Sequence, residues 1–228
     1  MEAKETSVPV ITIDGPTASG KGTVALRVAQ TLGFHYLDSG ALYRIVGLAC
    51  LRSHVDFSDM AAVTAHATAI QPRFIAGRVL LGNEDITSAI RTEEVGMAAS
   101  LAAQIPSVRN ALFELQRRER QAPGLVADGR DMGTVIFPDA SLKVFLTASV
   151  ESRARRRYKQ LIAKGIEVKL NDLVAEMAER DLRDMRRAHA PLAPAEGAKV
   201  LDSTCLTIQE TVVKILHWYD QASLGKAA

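Results

Sequence analysis

The chain has 228 residues, of which 47% are hydrophobic, 24% charged and 5% aromatic, with a formal net charge of +2. That apolar share excludes a disordered or collagen-like chain, and the length suits one α/β domain with small insertions. The sequence has no apolar run long enough for a membrane span, a polar Met1–Ser7 without a secretory apolar core, and two cysteines, Cys50 and Cys205, outside any Cys/His cluster. These features exclude a transmembrane helix, a disulfide framework and structural zinc, and they set the expectation of a reducing cytoplasm.

Val8 to Ile13 is a β-branched run ending at Asp14-Gly15, which predicts a buried strand. Val24, Ala25, Val28, Ala29 and Leu32 then recur at helical spacing from Lys21, and Gly33 predicts the stop. Between them Gly15, Pro16, Thr17, Ala18, Ser19, Gly20, Lys21, Gly22 and Thr23 fit G-x-x-x-x-G-K. Backbone N–H groups of such a loop surround phosphate oxygens, the helix start adds positive charge, and Lys21 reaches the outer phosphates. The bland alternative is a glycine-rich turn with a solvated lysine. Position 22 lacks the Ser or Thr that ligates Mg²⁺ in the general pattern, so Gly22 predicts an ion held by phosphates and water, with no protein ligand.

Phe34 to Leu37 predicts a second strand and Ala41 to Leu51 a second helix, the opening of a parallel α/β sheet. The turn between them, Asp38-Ser39-Gly40, leads to Tyr43-Arg44. Ser39 is a helix N-cap or a ligand contact there, and Arg44 a surface residue or an anion contact. Residues 58–104 break the rhythm: a helix over Asp59–Ile70, a hairpin turning at Ala76-Gly77, a second turn at Gly82-Asn83, and a helix capped by Thr92 with Glu93 and Glu94 in its first turn. This stretch reads as an inserted subdomain.

A helix from Ser107 to about Gln121 restores the rhythm, followed by a strand at Leu125–Ala127 that runs into Asp128-Gly129-Arg130-Asp131. Two acids and an arginine at a strand end are costly to bury without ligands or partners; a structural salt bridge is the alternative. Asp128 is expected near a metal-phosphate cluster. Leu142–Leu146 and Lys199–Leu201 predict further strands, and Thr207–Tyr219 the last helix.

Residues 151–187 predict a charged helical pair around Gly165. They hold 11 basic against 7 acidic residues, a local charge of +4, which leaves −2 for the rest of the chain. So local an excess points to an anionic ligand rather than to nucleic acid, which asks for a broader basic surface or stacking aromatics. Arg180, Asp184 and Arg187 fall at i, i+4 and i+7 on one helical face, and Arg153, Arg155, Arg156 and Arg157 cluster upstream. The readings are an exposed, internally paired helix or a mobile cationic flap closing over triphosphate.

Together these strings, I-T-I-D-G-P-x-x-x-G-K-G-T, L-D-S-G-A-L-Y-R, E-D-I-T-x-x-I-R-T-E-E-V, A-D-G-R-D-M-G-T-V-I-F-P-D-A and E-R-D-x-R-D-x-x-R, resemble bacterial cytidylate kinase over nearly the whole chain. The resemblance implies a three-layer P-loop α/β fold, with a core (about 1–57, 105–150 and 188–228), a nucleoside-monophosphate-binding insert (58–104) and a lid (151–187). It implies phosphorylation of CMP and dCMP by ATP with Mg²⁺, in a cytoplasmic monomer without nucleic-acid or membrane partners. By the same resemblance residues 15–23 bind ATP, aided by Arg156 and Arg157, and Lys21 bridges the transferred phosphoryl. Arg44, Arg130 and Arg187 take the CMP phosphate, Ser100, Arg109 and Asp131 the cytosine, Arg180 and Asp184 the ribose, and Ser39 lines the same site. Lys21, Arg130 and Arg187 are the expected catalytic residues. The rival readings are a P-loop kinase for another small acceptor and an arginine-rich nucleic-acid-binding protein.

Overall fold

A computed structural model of the chain describes residues 8–75, 77–163 and 165–224. Ala76 of the expected hairpin turn and the polar Met1–Ser7 stretch lie outside the described residues. The first half contains β1 (Val10–Asp14), α1 (Lys21–Leu32), β2 (His35–Asp38), α2 (Ser39–Arg52), α3 (Met60–Ala69), β3 (Pro72–Ile75), β4 (Arg78–Leu81), β5 (Glu84–Asp85), α4 (Glu93–Ala102) and α5 (Pro106–Arg118). The second half continues with β6 (Leu125–Gly129), β7 (Leu142–Thr147), α6 (Val150–Ile162), α7 (Leu170–Met185), β8 (Lys199–Asp202) and α8 (Ile208–Leu224). Two compact units result: one runs up to Leu37 and resumes at Glu119, and the other is Asp38–Arg118.

The first unit is built on a five-stranded sheet of order β2-β6-β1-β7-β8, with β1 parallel to both β6 and β7 and β7 parallel to β8. All five residues of β1 are buried, as the β-branched run Val10-Ile11-Thr12-Ile13 demands of a strand covered on both faces. Ile11, Ile13, Val126, Val144 and Leu146 form one core with Val24, Ala25 and Val28 of α1 and with Val212 and Ile215 of α8. Register puts Asp14 opposite Gly129 on one side and Phe145 on the other. The carboxyl ends of three strands are therefore level, the edge at which open α/β sheets bind ligands. Gly33 ends α1 in the left-handed region (φ 67°), its N–H turned back to the last carbonyls of the helix. A second, smaller core joins Ala154 and Leu161 of α6 to Leu173 and Met177 of α7, with Ala18 of the glycine-rich loop packed against it.

In the second unit α2 packs closely on α4: a Cβ at Gly47 would come within 2.9 Å of the Ala99 nitrogen. Thr92 caps α4 by accepting from the Val95 N–H, and Asp59 caps α3 by accepting from that of Ala62. The β3–β4 hairpin is antiparallel, and β5 adds a short third strand that the sequence reading leaves as a turn. Within this unit α2 packs against α4 and α5 against α3. Among the described residues no helix is long and apolar enough to cross a membrane.

Candidate active site

The glycine-rich loop lies between the end of β1 and the start of α1. Gly15 passes so near β7 that a Cβ there would come within 2.0 Å of the Leu146 carbonyl oxygen. Ala18 adopts φ 56°, a left-handed conformation that L-residues hold only under constraint. No side chain caps α1 at Gly20, so the helix start is left to the loop and to whatever anion it receives. Lys21 Nζ donates to the Pro16 carbonyl at 3.2 Å, folding the lysine back along the loop. Ser19 Oγ is buried with no hydrogen-bond partner among the described residues.

Beside the loop stands Asp128, near the end of β6. A Cβ at position 22 would lie 3.4 Å from its Oδ2 and 3.5 Å from the Tyr36 hydroxyl, and that hydroxyl donates to Asp128 Oδ1 at 3.2 Å. The space where other phosphate loops carry a Ser or Thr hydroxyl is thus lined here by a buried carboxylate. Among the described residues no three acids, histidines or cysteines gather as a metal site.

Arg130 turns from β6 to α7: its Nε donates to Asp184 Oδ2 at 2.9 Å, and Arg187 Nη2 donates to Asp184 Oδ1. Asp184 is almost completely buried. Burial opposes its charge, yet Arg130 and Arg187, with Arg180 nearby, hold its carboxyl below the usual carboxylate range. Arg187 does not extend the helical face expected from i, i+7 spacing. The helix α7 ends at Met185, and Arg187 lies beyond the cap at Arg186, reaching Asp184 from outside the helix. Asp131, also buried, opens a turn of π geometry over Met132–Ile136. Such turns recur at functional sites.

Among the clustered arginines, Arg153 is buried rather than presented to solvent. It pairs with Asp181 through both terminal nitrogens, and also donates to the Ala148 and Thr17 carbonyls. Arg156 donates to the carbonyls of Ser19, in the loop, and Ser203, after β8. Arg157 contacts Gln160 one turn on. Arg153 and Arg156 thus tie α6 to the phosphate loop and to the turn after β8.

In the second unit the cap of α2 is Asp38, whose carboxylate accepts from the Ala41 N–H; Ser39 is the first helical residue and is buried. Arg44 donates to the Ile90 and Thr92 carbonyls and lies across Gly96, where a Cβ would come within 3.2 Å of both terminal nitrogens. Ser100 Oγ is buried with no hydrogen-bond partner among the described residues. Arg109 stacks over the Tyr43 ring at 5.7 Å and donates to the Ala103 carbonyl. Ser39, Arg44, Ser100 and Arg109 therefore belong to this unit, and Arg130, Asp131, Arg180, Asp184 and Arg187 to the other. The sequence reading missed Asp14, Tyr36 and Gly96; only the acid closing a β-branched run was visible as a signal.

A sequence model of the cytidylate kinase family matches residues 11–221. A cytidylate kinase of Cupriavidus pinatubonensis is 57% identical over 97% of this chain and 100% of its own length. That of Bordetella bronchiseptica is 58% identical over 96% and 98%. Among solved structures, a gluconokinase of Sinorhizobium meliloti aligns over 96% of both chains with a TM-score of 0.51 at 14% identity. An uncharacterized protein of Eubacterium ventriosum aligns over 94% of this chain and 99% of its own, with a TM-score of 0.55 at 12% identity. These two likenesses speak for the fold alone. The sequence match, by contrast, runs from the strand before the phosphate loop to the last helix, and at that extent and identity the chain belongs to the cytidylate kinase family.

Proposed function

We propose that this chain transfers the γ-phosphoryl group of ATP to CMP or dCMP, giving ADP and CDP or dCDP. The observation that carries the reading is the buried Asp184 with Arg130 and Arg187 on its two oxygens, in the same unit as the phosphate loop. A carboxylate so placed orients two guanidinium groups at fixed positions, as phosphate recognition requires. Residues 15–23 hold the triphosphate, with Arg156 and Arg157 contributing from α6, and Lys21 meets charge that develops on the transferred group. The acceptor phosphate goes to Arg44, Arg130 and Arg187 and the ribose to Arg180 and Asp184. Ser100, Arg109 and Asp131 read the base, and Ser39 completes the set. Residues 58–104 serve acceptor binding and 151–187 form the lid.

In the transfer a CMP phosphate oxygen bonds to the γ-phosphorus as the bond to the β,γ-bridging oxygen breaks, and that oxygen leaves on ADP. The attacking oxygen is already anionic near neutral pH, so the protein's work is alignment and charge neutralisation. When bound, Mg²⁺ would neutralise the phosphates, with Asp128 accepting hydrogen bonds from its waters. Cytosine carries an amino donor where uracil carries a carbonyl, and an acceptor such as Asp131 separates them. A coupled ADP-release assay with CMP, dCMP, UMP and AMP tests the proposal. The cytidine nucleotides are expected to be the best acceptors; preferred turnover of AMP overturns it.

A further inference from the structure

Asp14 closes β1 and takes no part in the mechanism above. The residue is 4% exposed. Its two oxygens accept from the backbone N–H groups of Met132 and Gly133, at 2.9 and 2.8 Å, across separations of 118 and 119 residues in the chain. Those are the first two residues of the π turn, and Asp131 supplies no side-chain cap to it. The fit is close: a Cβ at Gly133 would come within 2.8 Å of Thr12 Oγ1 and 3.4 Å of Asp14 Oδ2. Burial raises the carboxyl's pKa, the N–H groups of Gly133 and Met132 lower it, Asp131 raises it and Lys21 lowers it, leaving it at about 6. An apolar side chain at this strand end would leave the Met132 and Gly133 N–H groups without these two acceptors.

We infer that Asp14 is a positioning residue for acceptor recognition, clamping the Met132–Gly133 backbone and so fixing the preceding Arg130 and Asp131 in the geometry that binds the acceptor phosphate and base. The inference rests on the proposed roles of Arg130 and Asp131. The clamp needs two acceptor oxygens. In Asp14→Asn the shape is kept, but one oxygen becomes an NH₂ group facing an N–H donor, so one of the two bonds is lost. The loop then gains freedom at the point where Asp131 must meet an amino group.

The test is steady-state kinetics with CMP and UMP on the full chain, together with ATP affinity measured without acceptor. Asp14→Asn is expected to raise the KM for CMP about tenfold and to lower the CMP/UMP ratio of kcat/KM by a similar factor, with ATP affinity within threefold of wild type. A CMP KM and a ratio both within twofold of wild type overturn the inference, as does an equal loss toward ATP. A merely structural role would not move the CMP/UMP ratio. Thermal unfolding checks that the variant folds. If it does not, Gly133→Ala, which pushes the same backbone away from Asp14, is read by the same measurements. Asp131→Ala separates the two layers of the argument. If it leaves the CMP/UMP ratio unchanged, the base-reading role falls and the inference with it. If it lowers the ratio ten- to a hundredfold while Asp14→Asn does not, the clamp alone is wrong.

Discussion

Gly96 lies where an α-helix would ordinarily gain from alanine. Glycine inside a helix costs about 1 kcal/mol relative to alanine, yet here a methyl group would press on the guanidinium of Arg44 at 3.2 Å. That guanidinium is already held by the Ile90 and Thr92 carbonyls and has little room to yield. Stability and function are therefore expected to part company in Gly96→Ala. Its melting temperature should match or exceed wild type, while the KM for CMP rises several-fold and that for ATP stays put. Steady-state kinetics beside thermal unfolding check this, and a variant with unchanged CMP KM would remove Arg44 from acceptor binding or Gly96 from its support. At this scale Arg44 and Asp131 were legible as candidates because they sit in long, specific strings. Gly96 was not, because a lone glycine in a helical pattern carries no record of what lies across it.

The charged elements α6 and α7 share a buried ion pair beside their small apolar core. Arg153 is joined to Asp181 and to the carbonyls of Ala148 and Thr17, so it ties both helices to the phosphate loop. Removing one partner of a buried pair leaves an uncompensated charge and costs about 3–5 kcal/mol, whereas replacing both with apolar residues of similar volume is often neutral. Asp181→Ala is expected to lower the melting temperature by about 10 °C. The double variant Arg153→Met/Asp181→Leu should recover most of that loss. A shift below 2 °C in Asp181→Ala would mean that the pair does not hold the helices. The charged stretch around Gly165 predicted both helices. It did not distinguish Arg153 from the exposed Arg155 two residues on, since a charged helix face reads as solvated until its partner on another helix is known.

For the whole molecule, two buried acids respond to pH with opposite sign. Asp14 titrates at about 6 in the folded protein against an ordinary 3.8. Its contribution to stability is present in full below the ordinary value and is lost as pH rises through about 6. Asp184, held low by Arg130 and Arg187 against its burial, contributes above the ordinary value and loses that contribution as pH falls through its own depressed one. Asp14→Asn removes only the first effect. The groups facing Asp14, namely Asp131, Lys21 and the two N–H donors, are otherwise unchanged. The melting-temperature difference between variant and wild type should therefore shift in the variant's favour from pH 5 to pH 7.5, by about 1 kcal/mol or roughly 2–4 °C. Scans of both proteins without nucleotide measure it, and a difference that is flat with pH would mean that Asp14 titrates normally.

By itself the amino-acid sequence determined what depends on neighbouring residues. The β-branched run, the glycines of the phosphate loop and the apolar spacing of α1 specify strand, loop and helix locally, and Thr92 and Asp59 mark helix starts as caps that act within one turn. The parallel sheet followed from their alternation, and the family from the strings at the strand ends. Tertiary structure alone decided which distant groups meet. Asp14 reaches the Met132 and Gly133 backbone across the sheet, Asp184 gathers Arg130 and Arg187, and Arg153 turns inward to Asp181. Periodicity records which face of an element is buried, not which partner is buried against it. A polar side chain finds its partner only when packing brings remote strands and helices together and removes water, so the positioning residues became visible only in the folded chain.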